Sequence, residues 1–77
     1  MAIFRGTSLN KSVYISEIGV FAHESEWQQL DKETIQVRDP LYHQKFSAYK
    51  YQLVVDGRTA VFAACEFSNG VMAIYEL

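Results

Sequence analysis

The chain has little of what usually staples or interrupts a fold: one cysteine, one proline and four glycines in 77 residues. A lone Cys65 closes no intrachain disulfide. It lies in the apolar run Val61–Cys65, where a small thiol is buried like any apolar side chain. No apolar run approaches the ~18 residues needed to span a bilayer, and no basic stretch leads into an apolar segment at the start. These absences predict a soluble, cytoplasmic chain without membrane contact. There is no run of lysine or arginine, so the footprint of a non-specific nucleic-acid binder is missing from the sequence. Glycine-rich phosphate loops, dinucleotide fingerprints, calcium loops and CxxC spacings are missing as well, so neither cofactor nor metal is expected.

What is present belongs to a folded protein. The chain is 49% apolar and 14% aromatic, with 21% charged residues. Residues 1–77 are read as a single domain, because the length excludes two independent cores. Size scaling gives roughly 4,800 Å² of folded surface against roughly 12,800 Å² for the extended chain. Such a thin core makes self-association a natural expectation. The net charge of -2 is unevenly spread: Arg5 and Lys11 precede a segment, 13–40, with two basic and six acidic residues, and 41–77 balances.

The C-terminal half carries the clearest pattern. Tyr49, Tyr51, Leu53 and Val55 alternate with Lys50, Gln52 and Val54, and Asp56-Gly57 follows. Asp-Gly between apolar runs signals a two-residue hairpin, since a type I′ turn needs φ > 0 at both central positions. Asn69-Gly70 repeats the signal. Together they predict a three-stranded antiparallel meander with strands at about 45–55, 58–67 and 71–76. Two-residue loops set Val55 against Arg58, Leu53 against Ala60, Tyr51 against Phe62 and Tyr49 against Ala64. The second loop sets Ser68 against Val71, Glu66 against Ala73 and Ala64 against Tyr75. One face then collects Tyr49, Tyr51, Phe62 and Tyr75, and the other Cys65, Phe67, Met72 and Ile74. The middle strand is apolar on both sides, as in a doubly covered strand or a small barrel. Phe46 and Ala48 are out of phase with Tyr49, Tyr51 and Leu53, which calls for a bulge near Ser47-Ala48 or a separate strand at 42–46.

Upstream, Val13–Phe21 reads as one bent strand or two short ones around Gly19. Thr34–Arg38 reads as a strand ending at Asp39-Pro40. Between them, Ser25 followed by Gln28 fits a capping box, and Trp27 and Leu30 are three apart. This predicts a helix over 25–31 that must dock Trp27 on the sheet to persist. Ile3-Phe4-Arg5 adds an edge strand, and Thr7–Ser12 is a loop. The fold class is β-dominated α+β: a small partly open barrel or curled antiparallel sheet of five or six strands, with one short helix.

The chemistry-bearing residues form no constellation in sequence. His23 and His43, with Glu24 or Glu26, have no metal-ligand spacing. A Cys65–His43 thiolate pair needs an exposed thiol, and Cys65 lies in the least polar strand. The acidic residues Glu17, Glu24, Glu26, Asp31, Glu33 and Asp39 read as a solvated face. The chain is therefore expected to be no enzyme but a protein-interaction module, a small regulator, inhibitor or assembly component that forms a homodimer or larger closed oligomer. The candidate interaction residues are Trp27, Tyr42, His43, Phe67 and Met72, with Trp27 either a lid on the core or an anchor for a partner. Val61, Phe67, Met72 and Ile74 are expected to leave an exposed patch, and the last strand an open edge. A single-stranded nucleic-acid binder is the alternative, resting on strand content and tyrosines. Another protein is a further possible partner.

Overall fold

The computed structural model describes residues 2–77. Its strands are β1 (Ile3–Ser8), β2 (Ser12–Ile15), β3 (Val20–His23), β4 (Gln28–Arg38), β5 (Lys45–Val55), β6 (Arg58–Glu66) and β7 (Met72–Glu76). Five of them form an antiparallel sheet in the order β1-β7-β6-β5-β4, while β2 and β3 pair only with each other. The fold is thus mostly strand, and its main sheet curls without closing into a barrel.

The Asp56-Gly57 turn is as the sequence predicts. Asp56 and Gly57 have φ of 50° and 77°, as a type I′ turn requires, and Tyr51 faces Phe62 while Leu53 faces Ala60. The second hairpin differs by one residue. Ala64 faces Ile74, not Tyr75, and Glu66 faces Met72. The loop has three residues, Ser68-Asn69-Gly70: Gly70 donates its N–H to Phe67 O at 2.9 Å, and Phe67 donates to Val71 O at 2.9 Å. Gly70, at φ 82°, takes the left-handed third position that such a loop needs. A one-residue slip exchanges faces. Met72 and Ile74 consequently join the first face, with Phe62, while Ala73 and Tyr75 lie on the second.

Each face has its own cover. On the first, the β2–β3 hairpin packs Val13, Ile15 and Ala22 against Leu53, Phe62, Met72 and Ile74. Lys11 fastens that hairpin to the sheet, with its ammonium 3.4 Å from Glu24 and 3.1 Å from Glu66. The hydrogen bond to Glu66 and then the charge of Glu24 push the Lys11 pKa up. On the second face, Ala48, Ala63, Cys65, Ala73 and Tyr75 pack with Val37. The sheet covers this face itself by curling. The Tyr75 hydroxyl donates to Arg38 O at 2.7 Å, so the end of β4 reaches β7 although β6 and β5 lie between them in the sheet.

A bulge accompanies the curl, though it is not at Ser47-Ala48. β5 runs through 45–55 unbroken, and the irregularity is in its neighbour, where Leu30–Glu33 of β4 stand against Lys50 alone. The two phases of β5 serve different cores: Phe46 and Ala48 the second, Tyr51 and Leu53 the first.

The expected helix over 25–31 is a 3-10 turn at Glu24–Glu26. His23, not Ser25, caps it: its Nδ1 accepts the Ser25 N–H at 3.2 Å, and Glu26 returns a bond to the His23 N–H at 2.9 Å. β4 then begins at Gln28, which leaves Leu30 exposed. The segment Thr7–Ser12, expected to be a loop, is partly strand, since β1 runs to Ser8 and β2 starts at Ser12. β7 is not an edge, because β1 pairs along it. Nor do Met72 and Ile74 form an exposed patch: they are 6% and 5% exposed, while Val61 remains open at 37%.

Trp27 is a lid. It is 8% exposed, with its ring 4.9 Å from Phe62 and 5.4 Å from Tyr51. Its indole N–H has no acceptor among the described residues, a cost set against that packing. Trp27→Ala should lose about 3–5 kcal/mol of stability in urea titrations. Retained stability would show that the packing carries little. In the same assay Gly57→Val should cost about 1–2 kcal/mol, since a β-branched residue is strained at positive φ, while Arg58→Val stays within about 0.5. Equal midpoints for those two variants would contradict the turn.

Candidate interaction site

The connection between β4 and β5 is built around Asp39. Pro40 follows it, fixing the backbone and ending the strand. One carboxylate oxygen, Oδ2, accepts the N–H groups of Leu41 at 3.1 Å and Tyr42 at 2.7 Å. The other, Oδ1, accepts the Gln44 N–H at 2.6 Å. The Asp39 backbone closes the loop, with N–H to Gln44 O and O from the His43 N–H, both at 3.1 Å. His43 turns the chain at φ 57°, and Arg38 Nη1 donates to its carbonyl at 3.0 Å. The tip is thereby fixed from several directions. On it, Leu41 is 72% and Tyr42 82% exposed.

Asp39 is not part of a solvated acidic face, as the sequence suggests, but buried. The Tyr42 N–H lowers its pKa most. Burial opposes this, and the Gln44 and Leu41 N–H groups and the nearby His43 lower it further.

Beside the tip is a cavity of about 240 Å³, walled by Leu41, Tyr42, Phe46 and Phe67 and reaching Phe4. The Phe46 and Phe67 rings lie 4.9 Å apart, and Phe4 meets Tyr75 edge-on at 5.6 Å. Beneath, burial above all pushes the Tyr75 hydroxyl up to about 12, with Cys65 and Asp39 adding to it. That hydroxyl is a neutral donor holding the sheet curled, not a titrating group.

Of the candidates named from sequence, Tyr42, His43 and Phe67 therefore gather at one end of the molecule. Trp27 and Met72 lie elsewhere, inside the first core. Leu41, Phe46, Phe4 and Asp39 were missed. An Asp-Pro turn followed by two large apolar residues was the available signal for the loop, whereas Phe4 depends on a strand pairing that crosses the whole chain.

Other arrangements weighed from sequence do not assemble. Among the described residues no three histidine, cysteine or acidic side chains come together to hold a metal ion. His23 is occupied as a cap. Burial pushes the Cys65 thiol up, opposite to what a thiolate nucleophile needs. Arg5 and Lys11 do not join Lys45 and Lys50, since Arg5 pairs with Glu76 and Lys11 with Glu24 and Glu66. Tyr75 is on the opposite face from Tyr49 and Tyr51. No helix among the described residues is long and apolar enough to cross a membrane.

The loop anchor has a pH signature. The folded Asp39 carboxyl titrates below its ordinary 3.8, so its contribution is complete above the unfolded value and lost as acid protonates it. The stability gap between the natural protein and Asp39→Asn should be widest at neutral pH and narrow as the pH falls below 3.8 through the lowered folded-state value. A gap independent of pH would mean that the loop holds without the charge. Comparison with protein-family models, curated proteins and solved structures gave no match, so the functional argument rests on these residues.

Proposed function

We propose that the chain is a non-catalytic protein-interaction module, a small regulator, inhibitor or assembly component, that pairs with a second copy of itself through the Asp39–Gln44 loop and the groove beside it. The observation that carries this reading is the rigid tip: two adjacent large side chains, Leu41 and Tyr42, held out in solvent by a loop with every turn hydrogen-bonded. An exposed apolar pair already fixed in place loses little further freedom on binding, which is the economy of a preorganised contact. Tip and groove are neighbours, so a two-fold axis between two copies would seat each tip against the other's groove, the usual closed arrangement.

Four side chains from two tips are few for a protein interface, and the apolar gain on burying them is of the same order as the cost of association, so the pairing is expected to be weak and concentration-dependent. Sedimentation should therefore show a mass that rises above 8.8 kDa as the concentration increases towards about 1 mM, and Leu41→Ser/Tyr42→Ser should stay a folded monomer throughout. A natural chain that stays at 8.8 kDa across that range would overturn the pairing.

A second reading, single-stranded nucleic-acid binding, has one observation in its favour. Arg38 faces Lys45 across β4 and β5, with Tyr49 along the same face, and neither cation has an acidic partner among the described residues. Like charges directly opposed cost stability, and an anion would relieve them. Two phosphate contacts give a salt slope of only about -1.4 on a single strand. An oligonucleotide titration that is flat with salt would remove this reading.

A further inference from the structure

Where the β2–β3 hairpin meets β1 it leaves a cleft of about 430 Å³. Val13 and Ile74 form its floor, and Tyr14 and Phe21, with rings 5.2 Å apart, stand at its mouth. The opposite wall is β1 itself, at Arg5, Gly6 and Thr7. β1 is an edge strand, hydrogen-bonded to β7 alone, so the N–H and C=O groups of its other side have no strand partner.

Gly6 is the informative residue. Its φ lies outside the left-handed region, and a Cβ built on it would meet nothing within 4 Å. A bulge in β1 lies between Phe4 and Gly6, but a bulge residue without a positive φ accommodates a side chain, and the chain's own packing does not call for glycine there. A strand glycine costs about 0.5–1 kcal/mol relative to alanine. What it provides is room for another backbone to come close. Past Arg5 the cleft continues into a shallow extension that reaches Glu17 and Glu76. Glu76 is paired with Arg5, whereas Glu17 has no partner among the described residues, so this end carries an unbalanced negative charge.

We infer that the cleft binds an extended peptide segment of a partner protein, laid along β1 as an added strand, with a large apolar side chain over Gly6 and Ile74 and a lysine or arginine two residues on, facing Glu17. Strand addition uses the open backbone groups for affinity and alternate side chains for selection. The spacing of two follows from the alternation of side chains along a strand. The basic residue complements Glu17, and Tyr14 and Phe21 supply faces on which a cation is also attracted. The cleft shares Thr7 with the groove beside the Asp39 loop but is floored by the first core where that groove is walled by the second. Leu41→Ser/Tyr42→Ser should still bind the peptide, so either proposal can fail without the other.

The test is an amide chemical-shift titration of the whole chain with the blocked pentapeptide Thr-Phe-Thr-Lys-Thr. The expected shifts fall at Arg5–Thr7 and Val13–Ser16. Gly6→Val should weaken binding at least about tenfold without lowering the urea midpoint, because valine suits a strand but fills the approach. Gly6→Ala is the second variant should valine impair folding, with the same direction expected. Glu17→Gln should weaken the lysine peptide about three- to tenfold and leave its norleucine analogue unchanged. No shifts, shifts confined to other strands, or undiminished binding by the Gly6 variants would overturn the inference. So would the same amides moving on dilution without peptide, which would make the occupant a second copy of this chain.

Discussion

Strand β6 is apolar on both sides, and with no long helix among the described residues both must be covered from strands alone. Ala63 and Cys65 point one way, Ala60, Phe62 and Ala64 the other, and all are buried. A flat five-stranded sheet would leave one of these faces in water. The chain folds a separate hairpin over the first face and bends the sheet's own far end over the second. The small side chains of β6 permit that close double approach, since larger residues would hold the covers apart. Most other features follow from this requirement: the bulge in β4, the reach of Tyr75 to Arg38, and the two phases of β5.

The bend also explains where the exposed apolar surface lies. Curling carries the β4–β5 connection round to the rim of the second core, beside Phe4 and the Ser68–Gly70 turn. A loop at that rim has core on one side and solvent on the other. Asp39 resolves the conflict by satisfying the loop's N–H groups from within, which frees Leu41 and Tyr42 from any structural duty. Such a division, a buried polar hub beneath exposed apolar tips, separates what folds the loop from what the loop can touch.

The hairpin at Asp56-Gly57 was legible because its information is local: two residues with the right backbone preference between two alternating strands. Asn69-Gly70 offered the same letters and a different answer. The dipeptide fits positions one and two of a two-residue loop, or two and three of a three-residue loop, and Met72-Ala73-Ile74-Tyr75 is apolar throughout and so supplies no phase to choose between them. The deciding term is tertiary, since the first core needs Met72 and Ile74 under the hairpin. Trp27 misled in a related way. Its spacing to Leu30 suggested a helix face, but its burial comes from contact with Tyr51 and Phe62, far along the chain. At the candidate site, Tyr42 and Phe67 could be named from sequence as aromatic residues near turns. Their meeting could not, since it depends on the curl.

The β2–β3 hairpin has a different standing from the rest of the molecule. Its backbone hydrogen bonds close on itself, and it is held to the main sheet by side-chain packing and by the ion pairs of a half-buried lysine. Such an element can lift away without breaking a hydrogen bond of the five-stranded sheet, which makes it a natural unit of sub-global opening. Amide hydrogens of Val13–Ala22 would then exchange through that local event, and those of Phe62–Cys65 only when the whole sheet comes apart. Because salt screens the lysine's ion pairs, ionic strength would govern the first rate more than the second.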